Sequence, residues 1–247
     1  MTKTELYRMK LGKLKNWDAF LLKESGLPGP RGNIELAQVV ADLGDEKLFL
    51  RYLTYDATRA PTNSPHEFLA FCGAVGLGRL VAEGKRTYLK TLRACASDAR
   101  WRMREGVAMA LQRLGDANME ALLREMDKWR RGNLLEQRAA VAALCEPRLL
   151  RERQHVERVL TILDNVTASI AHVQDRKRDE FIALKKGLGY CWSVAVAALP
   201  DAGKPKMERW FASDDCDIRW IMRENLKKNR LARVDSSWVT KWQARLA

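Results

Sequence analysis

Apolar residues recur along the chain at the spacing of amphipathic helices. Five stretches show the i, i+3, i+4, i+7 pattern, which places their side chains on one helical face. They are Leu36-Val39-Val40-Leu43, Phe68-Phe71-Cys72-Val75, Val107-Ala110-Leu111-Leu114, Met119-Leu122-Leu123-Met126 and Val156-Val159-Leu160-Leu163, the last continuing through Val166, Thr167 and Ile170. No sustained alternation of apolar and polar residues and no Asn-Gly or Asp-Gly turn occurs. The pattern predicts an all-α protein.

Turn and capping residues divide these stretches into short helices. The seven prolines lie between apolar stretches and predict boundaries at 26–33, 56–65, 147 and 200–206. Short polar residues that can cap a helix N-terminus precede the stretches, at Asn33, Ser97-Asp98, Asn118, Asn133 and Asp217. Glycines that predict helix ends follow them, at Gly44, Gly115 and Gly203. An extended helix is expected from about 148 to 173.

A hexapeptide that occurs twice indicates an internal repeat. Arg100-Trp101-Arg102-Met103-Arg104-Glu105 returns as Arg219-Trp220-Ile221-Met222-Arg223-Glu224, 119 positions later, and both copies follow an acidic turn that contains serine. The offset equals about three units of 40 residues, a length typical of HEAT and armadillo repeats. Weaker, alanine-rich copies lie at 136–144 and 193–199. Such units bury their apolar faces only against one another, so no single unit is expected to fold alone.

The acidic turn, the W-x-x-R opening of the next helix and the A-x-x-x-L that follows resemble the HEAT-repeat superfamily over most of residues 34–234. The resemblance implies a right-handed solenoid of tandem antiparallel helix pairs. We therefore expect an N-terminal helical segment, residues 1–32, that packs on a HEAT-like repeat domain of residues 33–247. Together they are expected to form a single structural domain.

Tandem HEAT-like units in a chain of 247 residues, with tryptophans beside arginines and an excess of basic residues, also resemble the AlkD-like group of DNA alkylation-repair proteins. That group contains glycosylases for alkylated bases and non-catalytic relatives that bind branched DNA. The resemblance implies a concave basic surface that binds the DNA backbone, and a lesion site lined by tryptophans with an acidic residue. No position of this sequence matches the catalytic acid of the group uniquely, so the catalytic residue stays unassigned.

The charge balance points to an anionic partner. The chain has 44 Lys and Arg against 31 Asp and Glu, a net charge of +13. Because counterion release favours every contact with phosphate, this excess favours DNA. A surface that is merely soluble is the alternative. An acidic membrane surface is a further alternative, but no strongly amphipathic segment has bulky aromatics on one face and lysines on the other. A membrane-spanning or secreted protein is not expected, since no apolar run approaches the roughly 20 residues of a spanning helix and the N-terminus lacks the apolar segment of a secretory signal.

Several basic runs lie where paired helices are expected to join, so one edge of the repeats can present a positive stripe to phosphates. The candidate nucleic-acid-binding residues are Lys85, Arg86, Lys90, Arg93, Trp101, Arg104, Arg130, Arg131, Arg138, Arg176, Lys177, Arg178, Lys185, Lys186, Trp220, Arg223, Lys227, Lys228 and Arg230. Any single run is more often a solvated face. The hypothesis depends on the combined positive charge of all these runs.

The two tryptophans of the hexapeptides have two interpretations. Trp101 and Trp220 each lie off the apolar stripe of their own helix. Each can face a groove and stack on a base, including a cationic, alkylated one. Each can equally fill the seam between neighbouring repeats. Their occurrence in duplicate favours the seam, because repeated residues tend to serve repeated packing.

The two arginines later in the hexapeptides also have two interpretations. Arg104 and Arg223 either contact phosphate or form ion pairs with the acidic turns, at Asp98 and Asp217 respectively. The ion pair is favoured, because a bidentate arginine–carboxylate contact orders a stack of repeats. If the protein is a glycosylase, Asp98, Asp217 or a neighbouring glutamate is expected to assist departure of the base.

Five cysteines form no C-x-x-C pair, and each has apolar neighbours. They predict buried, reduced thiols and a cytoplasmic location. The three histidines share no cysteine or carboxylate at metal-ligand spacing, and no phosphate-binding glycine loop, nucleophile elbow or zinc-protease motif occurs. We expect no metal, no cofactor and a monomer.

These observations predict a DNA-binding HEAT-like repeat protein linked to DNA repair, which recognises shape and backbone rather than base sequence. Excision of alkylated bases is the activity that the resemblance adds. The alternative is a protein–protein interaction scaffold whose basic groove binds an acidic partner segment. Fold alone does not separate these two functions.

Overall fold

The computed structural model describes residues 1–246, and over that range the chain is helical, with no strand. The predicted all-α class is therefore confirmed. The chain divides into two compact units, residues 1–117 and a second unit that begins at Asn118. No helix in the described range is both long enough and apolar enough to cross a bilayer.

Unit 1 is organised around one central helix. Its helices are α1 (Lys3–Lys13), α2 (Asp18–Glu24), α3 (Ile34–Leu43), α4 (Glu46–Leu53), α5 (Pro65–Ala82), α6 (Tyr88–Cys95) and α7 (Trp101–Ala117). Helix α5 packs against α2, α3, α4, α6 and α7, and it is buried along nearly its whole length. The N-terminal helices also pack on this core, because α1 contacts α3 and α2 contacts α5.

Unit 1 buries an ion pair between Glu67 of α5 and Arg102 of α7. The Arg102 guanidinium donates to Glu67 Oε2 at 3.2 Å and to the Gly29 carbonyl at 2.6 Å. The backbone N–H of Asn63 donates to the same Glu67 oxygen at 2.7 Å. The pair therefore ties the loops that precede α3 and α5 to the first turn of α7.

Unit 2 repeats this plan around α11. Its helices are α8 (Met119–Trp129), α9 (Leu134–Leu144), α10 (Arg153–Ser169), α11 (Asp179–Ala198), α12 (Pro200–Phe211), α13 (Cys216–Leu226), α14 (Asn229–Val234) and α15 (Ser236–Leu246). Helix α11 packs against α9, α10, α12, α13 and α14. The long helix expected from 148 to 173 is present but shorter, because α10 covers Arg153–Ser169 and 3-10 turns at Pro147–Leu149 and Ile170–His172 lie on either side of it.

Three of the predicted N-caps are confirmed. The side chains of Asn33, Asn118 and Asn133 accept hydrogen bonds from the first backbone N–H groups of α3, α8 and α9. The prediction was wrong at α13, where Asp215 rather than Asp217 caps the helix. Two carboxylates compete for this position in the acidic turn, and Asp217 is bound by cations from other elements.

The boundary expected at 200–206 is confirmed only at its start, because α11 ends at Ala198 and α12 begins at Pro200 and continues through the rest of this range. Pro200 begins α12, where its missing N–H costs nothing, and Pro205 lies inside that helix. Gly203 does not end a helix, because it is buried within α12, and a Cβ there would lie 2.8 Å from Val196 Cα of α11. Gly115 likewise lies inside α7. Gly203 therefore serves close packing rather than chain reversal.

The predicted apolar stripes form the cores of the two units, with Leu43 as the exception at 41% exposed. Cys72, Cys145 and Cys191 are buried as expected. Cys95 is only partly buried, and Cys216 is exposed. The expectation of five buried thiols was therefore wrong for these two, since apolar neighbours in sequence do not determine which helical face is covered.

Candidate nucleic-acid interface

Helix α11 places a lysine and a tyrosine on its exposed side. Its core stripe contains Phe181, Leu184 and Leu188, which are all buried. Lys186 and Tyr190 lie off this stripe and are exposed. Because residues at i and i+4 share a helical face, the two side chains are neighbours one turn apart.

Two flanking helices bring arginines to the same face. Arg230 of α14 lies over the Tyr190 ring, with 4.5 Å from guanidinium carbon to ring centroid, and donates to the Tyr190 hydroxyl at 2.5 Å. Arg138 of α9 lies beside Gly187, where a Cβ would be 3.5 Å from Arg138 Cγ. Arg138, Lys186, Tyr190 and Arg230 are called here the α11 patch. Three of these four residues were predicted from the sequence.

Lys186 and Arg230 of the α11 patch carry positive charge that is available to a ligand. Among residues 1–246, neither Lys186 nor Arg230 has a carboxylate partner. A lysine supplies a mobile point charge, and an arginine supplies a planar fork that matches phosphate oxygens. The patch therefore combines phosphate-binding groups with an exposed aromatic ring.

A second predicted group, around Asp215 and Asp217, is internally neutralised. Arg176 donates to Asp215 at 2.8 Å and to Asp217 at 3.0 Å. Lys185 donates to Asp217 at 2.6 Å and lies 4.7 Å from the centre of the Trp220 ring. These cations hold the acidic turn against α11.

Trp220 packs against α11 in the same region. A Cβ at Gly189 would lie 3.1 Å from Trp220 Cζ3, so the ring occupies the space that a side chain at this position would need. The indole is partly buried. This geometry favours the seam interpretation of Trp220 over a base-stacking role.

Asp215, Cys216 and Asp217 bring three potential metal-ligand atoms within 4.8 Å of one another. Both carboxylates are already bound by cations, and the hydrogen bond from Arg176 lowers the pKa of Asp215 below its ordinary value. The same bond raises the pKa of Arg176. The local charge is therefore compensated by side chains, and the cluster acts as a structural ion-pair network.

Replacing Arg176 with alanine is expected to lower the free energy of unfolding at pH 7 by about 2 kcal/mol, because the partly buried Asp215 loses its cation and Asp217 keeps only Lys185. The lowered pKa of Asp215 makes this contribution fully present above the ordinary value of 3.8, and it is lost as pH falls through the folded pKa. Urea unfolding at pH 7 and pH 3 should therefore show the gap between wild type and variant closing in acid. Arg178→Ala, which removes the exposed pair with Glu180, is the control and should change little. A gap that is equal at both pH values would contradict this account.

Most of the other predicted cations of unit 2 also have partners within the chain. Arg130 and Arg131 share Asp127, Arg178 pairs with Glu180, Lys227 pairs with Glu224, and Arg223 donates to the Leu246 carbonyl at 3.4 Å. Lys177 is exposed and Lys228 is partly buried. The expected Arg223–Asp217 pair is replaced by the contacts of Asp217 with Arg176 and Lys185.

The predicted cations of unit 1 lie around α6. Lys85 and the Tyr88 hydroxyl both bind the carboxylate of Glu46, and the hydrogen bond from Lys85 lowers the Glu46 pKa. Arg86 and Lys90 are exposed, while Arg93 is partly buried. This segment therefore presents two exposed cations next to one that is held by its own unit.

The first hexapeptide begins α7 and is bound to its own turn. Arg104 donates to the carbonyls of Asp98 and Ala99 at 2.7 and 2.8 Å. The Asp98 carboxylate pairs instead with Arg100 at 2.7 Å. Arg104 therefore binds the acidic turn as expected, but the hydrogen bonds it donates there go to backbone carbonyl oxygens and not to the Asp98 carboxylate. Trp101 remains 44% exposed.

Two features of the structure, one in the α11 patch and one in the core of unit 1, were not found from the sequence. Tyr190 was missed, although its position off the core stripe and one turn after Lys186 was a usable signal. The Glu67–Arg102 pair was missed because its partners are 35 positions apart and nothing local marks either as buried.

Comparison of the chain with family models, curated proteins and solved structures gives no match.

Proposed function

We propose that this protein is a cytoplasmic HEAT-like repeat protein that binds DNA through the phosphate backbone, and that the α11 patch is part of its binding surface. The observation that carries the proposal is the patch itself, where Lys186 of α11 and Arg230 of α14 lie beside the exposed Tyr190 ring. Backbone contacts of this kind supply affinity without reading base sequence. The net charge of +13 supports the same class of partner.

The order of helix contacts supports the solenoid part of the proposal within each unit. In unit 1, α3 packs on α5 and α5 on α7. In unit 2, α9 packs on α11 and α11 on α13, while α10 and α12 contact each other. Alternate helices that lie side by side form one layer of a stack of helix pairs, which is the arrangement of HEAT-like repeats.

Fluorescence anisotropy with labelled duplex, branched and single-stranded DNA across a salt series tests the proposal. Each neutralised phosphate contributes roughly −0.7 to −0.9 to the slope of log affinity against log salt, so Lys186 and Arg230 predict a slope of about −1.4 or steeper. Lys186→Ala should weaken binding and make the slope shallower by about 1.

Arg124→Ala provides the matched control in the same unit. Arg124 is an exposed arginine on α8, a helix that packs on α9 and α10. The proposal fails if affinity is indifferent to salt, or if the Lys186 and Arg124 variants behave alike. Binding of an acidic peptide in place of DNA would favour the scaffold alternative.

Base excision is the enzymatic extension of this proposal. Trp101 is the predicted aromatic that is most available to a displaced nucleotide, and Arg102 lies 4.4 Å from the centre of its ring. Release of bases from alkylated DNA, measured on the same preparation, decides between a glycosylase and a binding protein. The acid that assists departure of the base stays unassigned.

A further inference from the structure

Tyr190 is held as a rigid ring within the α11 patch. Arg230 covers one face of the ring at 4.5 Å and also binds its hydroxyl, while the side chain remains 43% exposed. A tyrosine that is fixed at both its face and its hydroxyl loses little further conformational freedom when a ligand binds. The exposed remainder of the ring is therefore a preformed contact surface.

The cations around Tyr190 are placed for a nucleic-acid strand. Lys186 lies one turn before Tyr190 on α11, and Arg230 reaches the ring from α14. A strand whose base rests on the ring would bring its flanking phosphates to these side chains. Proteins that bind single strands combine cations that follow the backbone with rings on which bases stack.

An intact duplex cannot use the ring in this way, because its bases are stacked inside the helix and only its phosphates reach a flat surface patch. A single strand, or an unpaired base in a branched molecule, can use both the ring and the cations. We propose that Tyr190 is a base-stacking residue and that the α11 patch prefers single-stranded or unpaired DNA to an intact duplex. This inference rests on the proposed DNA binding.

The test compares wild type, Tyr190→Leu and Tyr190→Phe for binding to a labelled single strand and to the duplex of the same sequence. In Tyr190→Leu, single-strand affinity should fall between roughly fivefold and a hundredfold, because base–ring stacking is lost. Duplex affinity should change less than about twofold, because the patch cations remain. Tyr190→Phe keeps the ring and should retain most of the single-strand affinity.

A second readout reports stacking directly. A strand that carries 2-aminopurine should lose fluorescence on binding to wild type and to Tyr190→Phe, and lose much less on binding to Tyr190→Leu, measured at saturating protein. Circular dichroism melts of all three proteins check that the exposed substitution leaves folding intact.

The outcomes separate the inference from the proposed function. If wild type binds neither form of DNA, the proposed function fails and the inference fails with it. If wild type binds duplex as tightly as single strand, or if Tyr190→Leu weakens both equally, the stacking role is wrong while DNA binding stands. Selective loss of single-strand binding together with loss of quenching supports the inference.

Discussion

Replacing Glu67 with alanine is expected to lower the free energy of unfolding by about 3–5 kcal/mol. Glu67 is 0% exposed and Arg102 is nearly as buried, at 7% of its side chain. Removing the carboxylate leaves a guanidinium in the interior without its counter-charge. It also removes the acceptor of the Asn63 N–H. Chemical unfolding in urea, followed by circular dichroism, measures the loss.

Four further variants, one of them Arg102→Met alone, separate charge from packing. Glu67→Gln keeps the shape and an acceptor oxygen, and should lose less than the alanine variant. In a double variant, Glu67→Ala with Arg102→Met should be less destabilised than the sum of the single changes, because no buried charge remains unpaired. The Arg31 side chain is 67% exposed and pairs with Glu35 at the surface. Arg31→Ala breaks this pair and should lower the free energy of unfolding by less than about 0.5 kcal/mol. Equal losses for Arg31→Ala and Glu67→Ala would contradict the account.

The helices could be predicted from the sequence because their signals are local. The stripe that begins at Val107 and the caps at Asn118 and Asn133 need only residues within one or two turns. The capping residue of an acidic turn is harder to predict. Asp215 and Asp217 are both acceptable caps by sequence, and Arg176 binds both of them. The difference is Lys185 of α11, 32 positions before Asp217, which binds Asp217 alone.

The candidate site could be predicted only as a set of cations. A count of Lys and Arg does not show which of them find a carboxylate, because that partner comes from another helix. Lys185 and Lys186 are adjacent in sequence, yet Lys185 binds Asp217 while Lys186 is exposed. The position of Arg230 over Tyr190 likewise requires α14 to return to α11. The available cations therefore follow from tertiary packing.

Glycines within helices show the same limit. A glycine at the end of an apolar stripe predicts a helix end, whereas the same residue inside a helix permits a close contact. The close neighbour of Gly203 is Val196 of α11, and the close neighbour of Gly76 is the Phe49 ring of α4. Only the structure identifies those neighbours.

Gly78 is the glycine at which this close contact should have the largest consequence for stability. A Cβ at this position would lie 2.4 Å from Ala110 Cα and 2.6 Å from the Ala110 carbonyl oxygen on α7. Both are backbone atoms, so no rotamer change relieves the overlap and α5 must move away from α7. Gly78→Ala gains about 1 kcal/mol of helix propensity. We expect the displacement of the two helices to outweigh this gain, for a net loss of about 2 kcal/mol, and Gly78→Val to lose more.

Gly12→Ala is the matched control, because nothing lies within 4 Å of a Cβ built on Gly12 of α1. The same chemical change should there raise stability by up to about 1 kcal/mol. If the α5–α7 contact is the cause, urea unfolding should show a lower free energy of unfolding for Gly78→Ala and a higher one for Gly12→Ala, each relative to wild type. Hydrogen exchange should in addition show lost protection in α5 and α7 of the Gly78 variant. A Gly78→Ala protein as stable as Gly12→Ala would mean that the two helices separate at no cost, and that the close approach at Ala110 does not hold unit 1 together.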